Sequence, residues 1–265
     1  MTKENAAAAV TTSRQPSAEN LAHAEEAARA LGLPYVPRGT LSLDEVRERA
    51  GAGPLLVAKQ GLLMLDEPDG QELFFHPNMA HLRIKNLHHG QGDRMAEAMG
   101  LTPGMTVLDG TLGLGADAIV ASFVAGEAGH VTGVESSPLV HAVVSWGLAH
   151  AHEESPRVEQ AMRRVTAVCM DSLDYLRAQP DRSVDIVYFD PMFRHPFYES
   201  KALSPLRGVA NPAPLCVDHI REACRVARRR VVLKESARSG EFARLGFPVV
   251  TGGRYSKVHY GVLSL

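Results

Sequence analysis

The stretch "VLDGTLGLGADAIVAS", residues 107–122, decides the fold of this chain. Its apolar run ends in a carboxylate at Asp109, and three glycines and a helix-forming segment follow. This order predicts a buried strand, a tight turn and a helix, as at the start of a doubly wound α/β domain. The glycines, Gly110, Gly113 and Gly115, allow the backbone to come close to a ligand, and the helix N-terminus would point free N–H groups toward it.

The rest of the chain extends this α/β pattern. After Thr102, short β-branched runs alternate with helical segments, which predicts a doubly wound, mostly parallel, seven-stranded Rossmann-like sheet with helices on both faces. Ahead of it we expect a disordered leader over residues 1–17, because that stretch shows no periodicity. A small N-terminal α/β subdomain over 18–77 and a basic connecting segment and helix over 78–102 would then lead into the main domain, 103–265.

The composition is that of an ordinary globular protein. The chain has 45% hydrophobic residues, a net charge of −2 and three cysteines without metal-ligand spacing, which predicts a reducing, cytoplasmic setting. No apolar run approaches the roughly 20 residues of a membrane-spanning helix. The histidines within 76–89 lack the spacing of zinc motifs, so no metal site is expected. With so little net charge, a nucleic-acid partner would have to be bound by local basic patches.

Each of four successive predicted strands ends in an acid. These acids are Asp109, Glu135, Asp171 and Asp190. Because the carboxyl ends of parallel strands meet at one edge of a sheet, we expect the four acids to lie at that edge. Glu135 could accept both hydroxyls of a ribose, and Asp171 with Ser172 could accept from an adenine amino group. Asp171 could instead simply cap the helix that begins near Ser172.

Two nucleotide ligands fit this edge. The spacing Gly113-x-Gly115-x-x-Ala118 satisfies the dinucleotide fingerprint, with Glu135 about 20 residues further on as the ribose acid, which would indicate NAD. Asp109 favours a different ligand, because an acid there would repel a pyrophosphate and attract a ligand that carries an ammonium and a sulfonium. S-adenosylmethionine is therefore the predicted cofactor, and NAD is the alternative.

The glycine turn also belongs to a set of motifs that resembles a known family. The stretches "LDGTLGLGADA", "FDPMF" and "NMAHLRIKNLHHGQGDRMAEAMGL" are similar to the RsmJ family of class I methyltransferases, and the similarity covers 78–265. The N-terminal part differs, which indicates a divergent branch. The resemblance implies S-adenosylmethionine as methyl donor and the N2 amine of a guanine in small-subunit ribosomal RNA as target. It also implies a cofactor site lined by Ala116, Asp117, Glu135, Ser136, Asp171, Ser172 and Asp190.

The turn Asp190-Pro191-Met192-Phe193 is the predicted catalytic element. An exocyclic amine of a base is a poor nucleophile, because its lone pair is delocalised into the ring. Asp190 and the backbone carbonyls of the turn could accept hydrogen bonds from the amine and so draw the lone pair out of conjugation. Pro191 fixes φ within the turn, and Phe193 could stack on the base.

RNA is the predicted partner, and two other functions stay open. Basic side chains before and after the glycine turn could contact phosphates. They are Arg83, Lys85, Arg94, Arg194, Lys201 and Arg207. The same machinery could instead methylate a small molecule or a protein. A noncatalytic nucleotide-binding module is the remaining alternative, although it would have no use for an acid beside a transferred methyl group.

Overall fold

The structure is a computed structural model, and it describes residues 8–191, 214–253 and 256–265. The chain divides into two compact units. The first combines residues 8–76 with Pro138–His152, and the second holds the other described residues. None of the helices in these ranges has the length and hydropathy that a membrane crossing requires.

The first unit is built on a sheet of four described strands. In sheet order they are β1 (Ala9–Thr12), β2 (Leu55–Lys59), β3 (Leu62–Asp66) and β4 (Glu72–Phe74), and its helices are α1 (Ala18–Leu31), α2 (Leu43–Ala50) and α6 (Pro138–His150). The first two strands pair in parallel and the other neighbours pair antiparallel. A tight turn at Gln60-Gly61, with φ of 53° and 75°, separates β2 from β3. The segment from Leu55 to Phe74 thus forms three strands of the small α/β subdomain expected over residues 18–77.

Strand β1 departs from the disordered leader expected over residues 1–17. Ala9 and Val10 are fully buried, and the strand pairs along its whole length with β2. Its four side chains are all buried, so the strand carries no alternation of polar and apolar residues. Without that alternation, a stretch of alanine and threonine gives no strand signal in the sequence.

Helix α6 also belongs to the first unit, whereas the sequence places it in the main domain, 103–265. The indole Nε1 of Trp146 donates a hydrogen bond to the carbonyl oxygen of Gly61 at 3.0 Å. Gly147 packs against Phe75 so closely that a Cβ on this glycine would lie 2.1 Å from the ring. The chain order predicts the helix but not the unit against which it packs.

The second unit contains the predicted doubly wound sheet, with seven described strands in the order β10-β11-β9-β8-β5-β6-β7. The strands are β5 (Thr106–Asp109), β6 (His130–Glu135), β7 (Val165–Cys169), β8 (Val184–Phe189), β9 (Ala227–Ser236), β10 (Val249–Thr251) and β11 (Val258–Ser264). The helices are α3 (Asn78–His88), α4 (Arg94–Met99), α5 (Ala116–Ala125), α7 (Pro156–Arg163), α8 (Ser172–Ala178), α9 (Val217–Val226) and α10 (Glu241–Arg244). The predicted fold class is confirmed.

The order of the strands fixes where a ligand can bind. Strand β5 has β6 on one side and β8 on the other, and all pairs from β7 to β9 are parallel. The chain therefore winds in opposite directions from β5, and the carboxyl end of β5 is the point where open α/β sheets hold ligands. Strand β11 runs antiparallel to both β9 and β10. The apolar side chains of the central strands, such as Leu108, Val187 and Leu233, are buried in one hydrophobic cluster.

Candidate functional site

The glycine turn after β5 takes the backbone conformations that the sequence predicts. Gly113 and Gly115 have φ of 50° and 78°, in the left-handed region, and Gly115 is the N-cap of α5. Gly110 serves a different purpose, because a Cβ there would lie 2.5 Å from the ring of Phe189 at the end of β8. The turn is thus shaped by backbone freedom at two positions and by close packing at the third.

Asp109 closes β5 and is almost completely buried, at 2% exposure. Its Oδ1 accepts hydrogen bonds from the backbone N–H of Thr111 at 2.9 Å and from the Thr111 hydroxyl at 3.3 Å. Burial raises the pKa of Asp109 to about 7, and the negative charges of Asp117 and Asp190 add to the rise. Within the described residues, no cation lies at ion-pair distance from this carboxylate.

Glu135, at the end of β6, is also buried and is tied to the glycine turn. Its Oε2 accepts a hydrogen bond from the N–H of Gly113 at 3.3 Å, and its Oε1 accepts one from the N–H of Ser137 at 2.8 Å. Burial raises the pKa of Glu135 above its ordinary value, and these N–H groups oppose the rise. The structure therefore brings together the turn and the second of the predicted strand-end acids, with Ser136 beside it.

Asp171 follows β7 at the same edge, since Cys169 pairs with Glu135 in the sheet register. It is exposed, and its Oδ1 accepts from the N–H groups of Leu173 at 2.9 Å and Asp174 at 3.3 Å. The capping alternative is thus confirmed: Asp171 is the N-cap of α8, which begins at Ser172. Both capping hydrogen bonds are accepted by Oδ1 of Asp171. The contact of Asp171 to an adenine amino group stays a prediction.

Asp190 follows β8 and is connected to the turn and to a lysine. Its backbone N–H donates to the Thr111 hydroxyl at 2.6 Å. Its Oδ2 accepts from Nζ of Lys234, on the adjacent strand β9, at 2.6 Å. Burial raises the pKa of Asp190, and the charge of Lys234 opposes that rise. Pro191 is half-buried, and the remaining two predicted catalytic residues, Met192 and Phe193, lie outside the described residues.

Asp117, in the first turn of α5, is the centre of the same network. Lys234 donates to its Oδ2 at 2.9 Å and the hydroxyl of Tyr188 donates to the same oxygen at 2.6 Å. The guanidinium of Arg83 pairs with its Oδ1 and also with Asp93, from Nε at 2.7 Å. Burial disfavours the charge of Asp117, but Lys234 and Arg83 outweigh burial and hold its pKa well below the usual range.

Sequence reasoning missed Lys234 and Tyr188 and assigned Arg83 another task. Arg83 was expected to contact RNA phosphates, but its guanidinium is occupied by Asp93 and Asp117. Lys234 directly follows the buried run Val231 to Leu233. A buried strand seldom carries a charge without a partner, so this position was the available signal for a charged partner near Lys234. Of the other expected phosphate contacts, Lys85 and Arg94 are exposed. The remaining ones, Arg194, Lys201 and Arg207, lie outside the described residues.

Arg94 lines a groove of about 560 Å³ in the second unit. Arg230 lies on the same groove and donates to the carbonyl oxygen of Ala98 at 2.8 Å. The hydroxyls of Thr251 and Ser264 add hydrogen-bonding groups, and Glu97 adds one acid. The groove is thus lined by two arginines and by three residues with hydroxyl groups, of which Tyr260 is the third.

Comparison with known proteins agrees with this geometry. The model of a family described as "Putative SAM-dependent methyltransferase" matches residues 49–245. The crystal structure of a SAM-dependent methyltransferase from Neisseria gonorrhoeae superposes with a TM-score of 0.64 and covers 97% of this chain and 95% of that one. The two sequences are 19% identical, so this likeness bears on the fold alone.

Similar sequences include a Bacillus subtilis protein, YpiP, which is 38% identical over 96% of this chain and 98% of its own length. A Pseudomonas aeruginosa protein named ribosomal RNA small subunit methyltransferase J is 33% identical over 78% of this chain and 77% of its own length. A Shewanella loihica protein of the same name is 36% identical, and the match spans 55% of that protein. The resemblance predicted from the motifs is confirmed.

Proposed function

This chain belongs to the SAM-dependent methyltransferase family whose model it matches, and on that premise we propose that its substrate is RNA. The proposed target is the exocyclic N2 amine of a guanine in small-subunit ribosomal RNA. The observation that carries the proposal is the name of the Pseudomonas aeruginosa relative, whose match extends over most of both chains. The acid at the end of β8 supports it, because an amine target needs a hydrogen-bond acceptor beside it.

The edge of the sheet at the glycine turn is the proposed site of S-adenosylmethionine. Beside Gly113 an added Cβ would lie 3.9 Å from the carbonyl oxygen of Thr111, an ordinary van der Waals distance, so close packing does not fill this position. We assign the two oxygens of Glu135 to the ribose hydroxyls. Asp109, a buried acid without a described cation, is assigned to the ammonium group. When bound, the cofactor supplies a methyl group that is already activated on a sulfonium.

The other cofactor contacts are assigned by position at the same edge. Helix α5 begins at Ala116 with its N–H groups at the turn, where they can donate to a ligand. Ser136 follows the proposed ribose acid, and Asp171 with Ser172 is proposed to hold the adenine. Asp117 supports this edge through its bonds to Lys234 and Tyr188 rather than by offering its carboxylate to the ligand.

We assign the target amine to Asp190. Its carboxylate can accept a hydrogen bond from the amine and thereby reduce the delocalisation of the lone pair into the ring. Holding amine and methyl group in line contributes about 7–11 kcal/mol by proximity in well-oriented reactions. If the guanine is paired, flipping it out would cost a few kcal/mol. Phe193 is proposed to stack on the flipped base.

The groove with Arg94 and Arg230 is the proposed contact for the RNA backbone. The chain carries a net charge of only −2, so attraction to RNA has to come from local cations. Each arginine that neutralises a phosphate contributes about 0.7 to the slope of log affinity against log salt for single strands. We therefore expect Arg94→Gln to weaken RNA binding and to flatten that slope by about 0.7, without a change in the affinity for S-adenosylhomocysteine.

The test is transfer of labelled methyl from S-adenosylmethionine to RNA, protein and small-molecule pools from cells that lack this protein. We expect label in small-subunit RNA, and nuclease digestion followed by mass spectrometry should find it as N2-methylguanosine. Asp190→Ala should lose the label. The matched control is Glu127→Gln, an exposed acid in the turn before β6, at the opposite edge of the sheet. This control should keep full activity.

Each other outcome identifies the part of the proposal that is wrong. Label confined to protein or to small molecules would refute RNA as the substrate. Label in RNA on another nucleoside would refute the guanine N2 assignment. Full transfer by Asp190→Ala would remove this carboxylate from the mechanism. Binding of S-adenosylhomocysteine without any transfer would favour the noncatalytic module.

A further inference from the structure

Lys234 links the acid at the target side of the site to the acid at the cofactor side. Its Nζ donates to Oδ2 of Asp190 at 2.6 Å and to Oδ2 of Asp117 at 2.9 Å. The lysine follows Leu233, which pairs with Phe189 in the sheet register, so its side chain emerges beside the end of β8. Its side chain is 20% exposed, and those of Asp117 and Asp190 are 11% and 28% exposed.

The bond to Lys234 determines whether the Asp190 carboxyl group acts as a hydrogen-bond acceptor or as a donor. An ionised carboxylate is only an acceptor, whereas a protonated one would offer an O–H to its neighbour. A target amine needs an acceptor. Lys234 engages Oδ2, and a carboxylate has a second oxygen, Oδ1, that can accept as well. A lysine at this distance therefore favours both the required charge and a fixed direction of the carboxylate.

We propose that Lys234 is a positioning residue for methyl transfer, which holds Asp190 ionised and turned so that Oδ1 faces the target amine. The inference rests on the proposed function, because it assumes an amine target at Asp190. A lysine that only fastened α5 to β9 would be the structural alternative. Asp117 has two further partners, Arg83 and Tyr188, so α5 keeps its anchors without this lysine.

The neighbouring charges show why a lysine is needed here. The titratable groups in the described residues that interact with Asp190 or with Lys234 include Asp109, Asp117, Tyr188 and Tyr260, and Arg83 acts on Asp117. The acids among them disfavour a further negative charge, and Arg83 is already occupied by Asp93 and Asp117. The direct cationic contact of Asp190 in the described part of the chain is thus Lys234.

The first experiment needs neither cofactor nor RNA. Carbon-13 NMR would follow the titration of the Asp190 carboxyl carbon in the cofactor-free protein, with the signal assigned by its loss in Asp190→Asn. Lys234→Met should raise the midpoint by about 1–3 pH units, the effect of removing an opposite charge at this range. Lys234→Arg keeps the charge and should leave the midpoint near its original value. Tyr188→Phe is a matched control, because it removes a hydrogen bond to Asp117 but leaves the bond between Lys234 and Asp190 in place. The Asp190 midpoint in this variant should stay near its original value.

The second experiment measures transfer to RNA by the same variants. In Lys234→Met we expect kcat to fall about tenfold or more, with kcat/KM falling in parallel because the interaction acts in the transition state. The pH at which kcat rises should move up with the NMR midpoint, and the affinity for S-adenosylhomocysteine should stay within about threefold. Lys234→Arg should recover part of kcat. If Lys234→Met fails to fold, its combination with Asp117→Asn removes one charge of each sign, and its Asp190 midpoint is compared with that of Asp117→Asn alone, because the charge of Asp117 itself raises the pKa of Asp190.

An unchanged Asp190 midpoint in Lys234→Met would overturn the inference, and so would a raised midpoint with unchanged kcat. Equal loss of kcat in Lys234→Arg and Lys234→Met, despite a restored midpoint, would also overturn it, because the charge of Asp190 would then not limit transfer. Failure of the proposed function is separate, since it would appear as absence of RNA methylation by the unaltered chain.

Discussion

Replacing Asp109 by asparagine should stabilise the second unit at alkaline pH and have a much smaller benefit in acid. Asparagine keeps an Oδ1 that can accept from the N–H and the hydroxyl of Thr111, as the carboxylate does. It cannot ionise. The amide group has its own fixed cost in a buried site, but that cost is the same at every pH. The pH dependence of the difference between the two proteins therefore isolates the charge of Asp109.

The expected magnitude follows from the raised pKa of Asp109. Its pKa is about 7 in the folded protein against an ordinary value of 3.8 for aspartate. The folded state thus holds the proton more tightly than the unfolded state, so the free energy of unfolding falls as the pH rises from about 4 to about 7, and it levels off above. The pKa of Asp109 is raised by roughly three units, and about two of them lie between pH 5 and pH 8. The free energy of unfolding should therefore fall by about 3 kcal/mol between these two pH values. At 2% exposure, solvent screens little of this effect.

The assay is urea unfolding of both proteins at pH 5 and at pH 8, followed by far-ultraviolet circular dichroism. Fluorescence is unsuitable, because the single tryptophan, Trp146, belongs to the first unit. The advantage of Asp109→Asn over the unaltered chain should grow by about 3 kcal/mol between the two pH values. Glu127→Gln, which replaces an exposed acid, should show no such growth. Equal advantages of Asp109→Asn at both pH values would refute the reasoning, because Asp109 would then ionise as an ordinary aspartate.

Substitutions at three further positions test a buried hydrogen bond, a close packing contact and a helix cap of the second unit. Tyr188→Phe removes a buried hydrogen bond to Asp117 and should cost about 2 kcal/mol in urea unfolding; an unchanged midpoint would mean that this bond contributes nothing. Gly110→Ala places a methyl 2.5 Å from the ring of Phe189, and we expect thermal unfolding to show a loss of about 1–3 kcal/mol. Asp171→Ala should lose about 1 kcal/mol with its helix cap, while Asp171→Asn should keep it; equal losses would speak against the cap.

The alternation of strands and helices could be predicted from the sequence because each parallel strand is buried on both faces. Such strands appear as short β-branched runs, and helices with capping residues separate them. This pattern does not predict the order of the strands in the sheet. It also does not predict that β11 lies between β9 and β10. Strand β1 was missed because its alanine, valine and two threonines give no periodic signal. Helix α6 was assigned to the wrong unit because sequence neighbours need not pack together.

The acids of the site were predictable, while their partners were not. Asp109, Glu135 and Asp190 come directly at strand ends, so a linear pattern locates them. Lys234 lies 44 residues beyond Asp190, and Arg83 lies 34 residues before Asp117. Those pairs depend on which strands are adjacent and on which helix covers them. The network that sets the charge of the site therefore appears only in three dimensions.

The unequal distribution of cations among the buried acids bears directly on the ligand. Asp117 has Lys234 and Arg83, Asp190 shares Lys234, and Asp109 has no described cation. Burial raises the pKa of Asp109, and no cation in the described part of the chain opposes that rise; buried acids of this kind are typical of ligand sites. An ammonium group would supply the missing charge, whereas a pyrophosphate would add two more negative charges to the edge. The charge balance of the site therefore favours S-adenosylmethionine over a dinucleotide, on grounds separate from the family match.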